Sequence, residues 1–142
     1  MVFATKGTEK SMTKHIFQNV LLLVGLIVLI VGFHIFSVNT LKRYVNSLCR
    51  QGEEMISMVN EERYEAAKEK AEQIRKQWEE HGRRLCFFVD HDDVETIGHM
   101  IAKVQSDFRE ETWALAVTEM EEIMAKAKDM HKRETLTLEN IF

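Results

Sequence analysis

Hydrophobic residues form one unbroken block early in the chain. Residues 16–38 contain no Asp, Glu, Lys or Arg, and as a helix they span roughly 34 Å at about 1.5 Å per residue. Because the hydrocarbon core of a bilayer is about 30 Å thick, the block predicts a transmembrane helix. A buried core helix and a cleaved signal peptide are the alternatives, but the block is longer than a signal-peptide core and no Ala-x-Ala site follows it.

The charges on either side of this block bear on its orientation. Residues 1–15 form a basic leader with three lysines, whereas Lys42, Arg43 and Arg50 follow the block. The positive-inside rule is nearly balanced, and the short leader weakly favours an extracytoplasmic location for the rest of this single-pass chain. His34 lies near one end of the block, where we expect it to anchor at the lipid interface rather than to relay protons.

After the block, apolar residues recur at alternating spacings of three and four, which is typical of amphipathic helices. Four such stretches carry Val45, Leu48, Met55 and Val59; Tyr64, Ala67, Ala71, Ile74 and Trp78; Val94, Ile97, Ile101, Val104 and Phe108; and Trp113, Ala116, Met120, Ile123 and Ala127. Gly52 occupies the remaining position of the first set, and adding 49 to the positions of the first two sets then gives the other two. The pattern predicts two αα-hairpins, at about 41–84 and 90–132, within a domain of residues 39–134.

The predicted fold class is therefore all-α, with one N-terminal transmembrane helix followed by an antiparallel four-helix bundle. Asp90 is a suitable N-cap for the third bundle helix. Residues 135–142 lose the helical spacing and form an apolar C-terminal tail. The tail either folds back between the hairpins or offers an interaction segment to a partner, with Leu136, Leu138, Asn140, Ile141 and Phe142 as the candidate residues.

Charge and composition exclude several classes of function. Residues 39–142 carry 16 basic and 22 acidic residues, so nucleic acid is a poor partner. The chain lacks a glycine-rich phosphate loop, a Cys-x-x-Cys pair and a serine nucleophile elbow, and we predict neither a cofactor nor catalytic activity. Cys49 and Cys86 are the two cysteines, and the sequence leaves open whether they are bridged or reduced.

One set of side chains has metal-ligand spacing. His91, Glu95 and His99 recur every four residues and share one side of a helix, a spacing that can present two imidazoles and a carboxylate to a divalent metal. Asp92 or His131 is the expected additional ligand. A solvated helix face explains the same pattern equally well.

Several residues together resemble a family of bacterial membrane-anchored proteins known only as domain of unknown function 4363. They are Tyr64-x-x-Ala67, Trp78 upstream of Val89-Asp90-His91, and the ending Leu138-Glu-Asn-Ile-Phe142. The chain differs in having Tyr64 where the family often has Trp, in its longer leader and in its two cysteines. The resemblance implies a small protein of spore-forming Gram-positive bacteria, often encoded beside a multipass membrane protein, and it transfers no catalytic residue.

The sequence thus predicts a non-catalytic single-span protein of the cell membrane whose helical domain is an interaction module. The expected partners are membrane lipid and another integral membrane protein, for which the chain is an accessory subunit. Self-association is left open. The alternative is a membrane-anchored ligand or metal sensor.

Overall fold

The computed structural model describes the backbone of residues 5–87 and 89–139 and the side chains of residues 14–87 and 89–135. This part of the chain contains four helices and no strand: α1 (Thr5–Asn60), α2 (Tyr64–Leu85), α3 (His91–Arg109) and α4 (Trp113–Glu139). The all-α class is confirmed. The chain divides into two compact units, Met1–Ser37 and Val38–Phe142.

The apolar block and the first bundle helix form one continuous helix, α1. No proline or glycine occurs between Gly32 and Gly52 to end the helix. Ser37 lies within this helix, and its hydroxyl donates a hydrogen bond to the Phe33 carbonyl at 3.0 Å.

Among the described residues, the part of α1 that follows Ser37 and the helices α2, α3 and α4 form an antiparallel four-helix bundle, as predicted. Tyr44 of α1 meets His81 of α2, and Glu54 of α1 pairs with Lys70, so these two helices run in opposite directions. Lys103 of α3 pairs with Glu119 of α4, while the Cys49 thiol of α1 lies 4.0 Å from the Met124 carbonyl of α4.

The helix faces predicted from the spacing form the core. Most residues of the four predicted sets are buried, and Tyr64, Trp78 and Trp113 are half-buried at the edges of the core. Burial of these side chains supplies the main favourable free energy of folding. Residues outside the four predicted sets extend the core, namely Leu41, Cys49, Leu85, Val89, Met124 and Met130.

The two hairpin turns repeat one another with the predicted offset of 49 residues. Glu62 and Glu111 both adopt the left-handed conformation, with φ of 60° and 56°. In the first turn the Arg63 amide donates to the Met58 carbonyl over 2.8 Å, and in the second the equivalent bond, from Thr112 to Asp107, is 2.9 Å. Both helices therefore end in the Schellman pattern, although glycine is the usual residue at the left-handed position.

Two helix ends bear on the predicted boundaries. Asp90 caps α3, because its Oδ1 accepts from the Asp92 amide at 3.0 Å, which confirms the predicted N-cap. By contrast, α4 continues to Glu139, beyond the predicted start of the tail at residue 135. The Thr135 hydroxyl donates to the His131 carbonyl within the helix, and no proline or glycine occurs there to end it.

Candidate functional site

The apolar segment of α1 remains exposed along its length. Among the described side chains, 17 large hydrophobic residues are exposed, and 15 of them lie between residues 16 and 36. The helix that contains them reaches a mean hydropathy of 2.8 and is the one described helix long and apolar enough to cross a membrane. His34 lies near the end of the apolar segment and is half-buried. Anchoring of this histidine at the lipid interface stays a prediction.

A groove between α2 and α3 gathers the polar side chains with metal-ligand chemistry. Its volume is about 490 Å³, and its walls include Cys86, His91, Glu95 and His99. The Cys86 sulfur lies 3.2 Å from Nδ1 of His91. The carboxylate of Glu95 lies between the two imidazoles, 4.0 Å from Nε2 of His91 and 3.6 Å from Nε2 of His99.

The structure thus changes the composition of this site. Cys86 joins the three predicted residues, whereas neither of the expected additional ligands, Asp92 and His131, lines the groove. The short α2–α3 connection turns the end of α2 back onto the first turn of α3, which brings Cys86 to His91. The close spacing of the two residues across a helix break was the available signal for this pairing.

The described residues contain no group of three or more His, Cys, Asp or Glu side chains already arranged to hold a metal ion. The two imidazoles and Glu95 are well exposed and lie at ion-pair distance. Metal binding at His91, Glu95 and His99 therefore stays a prediction. What the geometry does provide is a thiol beside an imidazole, a pairing that the sequence analysis did not foresee.

The two cysteines have different environments and are both free. Cys49 is buried between α1 and α4, and burial raises the pKa of its thiol, an effect that nearby Lys128 opposes. Cys86 is half-buried at the groove. Cys86 is thus the thiol available to reagents from solution.

A small cavity with mostly apolar walls lies between α1 and α2. Its volume is about 30 Å³, far below the several hundred Å³ of a typical small-molecule site. Gln51 bridges the two helices by donating to Oε1 of Gln77 over 2.7 Å, and the Tyr44 hydroxyl lies 3.2 Å from Nδ1 of His81. These bonds satisfy polar groups along the contact between α1 and α2 and fix the pairing of the two helices.

The predicted interaction segment lies outside the described side chains. The α4 backbone is helical through Glu139, which covers Leu136 and Leu138, whereas Asn140, Ile141 and Phe142 fall beyond the described residues. Whether this segment folds back or contacts a partner therefore stays a prediction.

Comparison with known proteins relates most of the bundle to one family. Neither the curated proteins nor the solved structures gave a significant match. A family model matches residues 35–141, which include the bundle helices and the groove. The chain therefore belongs to the DUF4363 family, a domain of unknown function.

Proposed function

We propose that this chain is a single-span membrane protein whose helical bundle is a non-catalytic interaction module, acting as an accessory subunit of a multipass membrane protein. The observation that carries the proposal is the concentration of 15 exposed large hydrophobic side chains in residues 16–36. A soluble monomer rarely exposes a contiguous apolar patch of more than a few hundred Å².

The free energy of insertion agrees with this reading. Leu, Ile, Phe and Val each contribute about −0.3 to −0.6 kcal/mol at the centre of a bilayer. Twelve of the fourteen residues from 20 to 33 are of these types, so insertion is favourable by several kcal/mol. We propose that this segment is embedded in lipid.

Charge on the bundle supports a protein partner. Along the antiparallel helices, residues 51–75 and 101–123 form the half of the bundle farther from Val38. This half carries 6 basic and 13 acidic residues, whereas the nearer half, residues 38–50, 76–100 and 124–139, carries 10 basic and 9 acidic. The acidic half suits a basic surface on a partner, since complementary charge steers association.

Extraction and co-purification test the two parts of the proposal. Membranes containing the full chain are washed with alkaline carbonate, and a second sample is solubilised in mild detergent for affinity purification. We expect the chain to resist the wash and to bring down an integral membrane protein. A variant ending at Thr135 should lose that partner if the C-terminal segment provides the contact. Recovery of the chain alone in both cases would contradict the accessory role.

The side of the membrane is tested through Cys86. We propose an extracytoplasmic bundle, so an impermeant maleimide should label intact cells. A Cys49→Ala variant keeps the signal, because Cys86 is the more accessible thiol. A Cys86→Ser variant is the matched control and should lose it. Labelling that requires permeabilised cells would place the bundle in the cytoplasm.

The groove favours one second candidate, a metal sensor. Cys86, His91, Glu95 and His99 share its wall, and thiolate and imidazole are suitable ligands for Zn²⁺ and Co²⁺. Titration of the detergent-solubilised chain with Co²⁺ should produce a thiolate charge-transfer band that Cys86→Ser abolishes. The double variant His91→Ala/His99→Ala should weaken binding. If Co²⁺ does not bind the wild-type protein, this candidate is excluded.

A further inference from the structure

The connection between α2 and α3 lies at the end of the bundle where the chain enters from the apolar segment. The bundle unit begins at Val38, and Tyr44 of α1 lies beside His81 of α2. Because the two helices run antiparallel, each later residue of α2 is level with an earlier residue of α1. Leu85, the last residue of α2, is therefore close to the level of Thr40, and Phe87 lies two residues farther along, in the connection that follows.

Phe87 is unusually exposed for an aromatic side chain, with 80% of its surface accessible. Outside residues 16–36, the described side chains include one other exposed large hydrophobic residue, Leu115. Leu115 lies in the first turn of α4, at the opposite end of the bundle, where Tyr64 stacks on Trp113. The two exposed residues thus mark the two ends of the bundle.

Basic side chains accompany Phe87. Arg83 and Arg84 occupy the last turn of α2 and are both exposed. Lys42 and Arg43 are exposed on α1 at about the same level. This end of the bundle therefore combines an exposed aromatic ring with four cations, beside the exposed carboxylates of Asp90 and Asp92 at the start of α3, whereas the half of the bundle around Leu115 is strongly acidic.

That combination matches the chemistry of a lipid headgroup layer. Tryptophan and tyrosine are enriched at the membrane interface, and phenylalanine inserts at the same boundary from the apolar faces of interfacial helices. Cations close to an anionic surface are attracted to it within about a Debye length. If residues 16–38 cross the bilayer, the headgroups begin at about Val38, and the α2–α3 connection lies at the end of the bundle nearest to them.

We infer that Phe87, flanked by Arg83 and Arg84, docks the end of the bundle onto the headgroup layer of the membrane that holds the apolar segment. This inference rests on the proposed membrane insertion of α1. It identifies a lipid contact in addition to the span, made by a loop of the bundle itself. The acidic half of the bundle then faces away from lipid and remains available to a protein partner.

Quenching by brominated lipid tests this contact. The full chain is reconstituted into phosphatidylcholine/phosphatidylglycerol vesicles that contain phosphatidylcholine brominated near the headgroup end of its acyl chains. Tryptophan is introduced by Phe87→Trp and, as the matched control, by Leu115→Trp. The wild-type protein supplies the background from Trp78 and Trp113.

We expect brominated lipid to remove most of the emission added by Phe87→Trp and little of that added by Leu115→Trp. Adding Arg83→Gln and Arg84→Gln to Phe87→Trp should reduce the quenching, as should replacing phosphatidylglycerol with phosphatidylcholine. Equal quenching of the two tryptophan variants, or none in either, would overturn the docking.

Carbonate extraction of the same vesicles separates the two levels of the argument. If the protein resists extraction but Phe87→Trp is not quenched, the span is correct and the docking is wrong, and a covering protein becomes the explanation for the exposed ring. If carbonate releases the protein, membrane insertion fails and the docking fails with it.

Discussion

The left-handed glutamates at the two hairpin turns provide a direct test of the repeated backbone geometry. We expect Glu62→Gly and Glu111→Gly each to stabilise the bundle. An L-residue in the left-handed region costs about 1–2 kcal/mol, whereas glycine adopts it without a steric penalty. Glycine also has more conformational freedom in the unfolded chain, which offsets about 0.5–1 kcal/mol.

The expected net gain is therefore about 0.5–1 kcal/mol per turn. For a domain of this size that corresponds to a rise in melting temperature of roughly 2–6 °C. The measurement is thermal unfolding of the full chain in mild detergent, followed by circular dichroism. The double variant should approach the sum of the two gains, because the turns occupy separate connections.

Alanine variants at the same positions distinguish backbone strain from charge. Both glutamates are exposed and lie at helix C-termini, where a negative charge interacts unfavourably with the helix dipole. Alanine removes the charge but keeps the left-handed penalty. If Glu62→Ala stabilises the bundle as much as Glu62→Gly, charge accounts for the gain, and if glycine destabilises either turn, the assigned conformation is wrong.

Three further predictions concern the core. Ile97→Asp should unfold the bundle, since a carboxylate at this fully buried position would be unpaired. Glu95→Lys, on the exposed side of the same helix, should change stability little. Equal losses of stability in urea titrations of the two variants would contradict the assignment of helix faces. Burial raises the pKa of the Cys49 thiol above its ordinary value of 9.0. The stability contributed by the protonated thiol is therefore fully present below pH 9 and is lost at higher pH. Cys49→Ala should accordingly show a shallower alkaline decline in the free energy of unfolding. Gly52→Ala should destabilise the bundle by about 1 kcal/mol, because a Cβ there would lie 2.8 Å from a methionine sulfur. Gly82→Ala, where the nearest atoms are 3.5 Å from the added Cβ, should stabilise the bundle by about 0.5–1 kcal/mol through helix propensity. Thermal melts that show a stability change of the same sign for both variants would refute this packing.

The apolar block, the helical faces and the Asp90 cap could be predicted from the sequence because each depends on local chemistry. Spacings of three and four place Ile97 and Ile101 on one side of any helix, whatever packs against them. The offset of 49 residues even anticipated that the two turns would match. The apolar block can likewise be recognised without tertiary information, because its length as a helix is compared directly with the thickness of a bilayer.

Other features depended on contacts between residues distant in sequence or separated by a helix break. The sequence did not predict that Cys86 would lie beside His91, because a spacing of five residues across a helix break brings them close but does not determine how the turn between them folds. Nor did it place Phe87 at the end of the bundle nearest Val38, which follows from the antiparallel register fixed by Tyr44, His81 and the pairing of Glu54 with Lys70. Local periodicity determined which faces are apolar, while the packing of four helices determined which side chains share a groove and which end of the bundle carries the exposed aromatic ring.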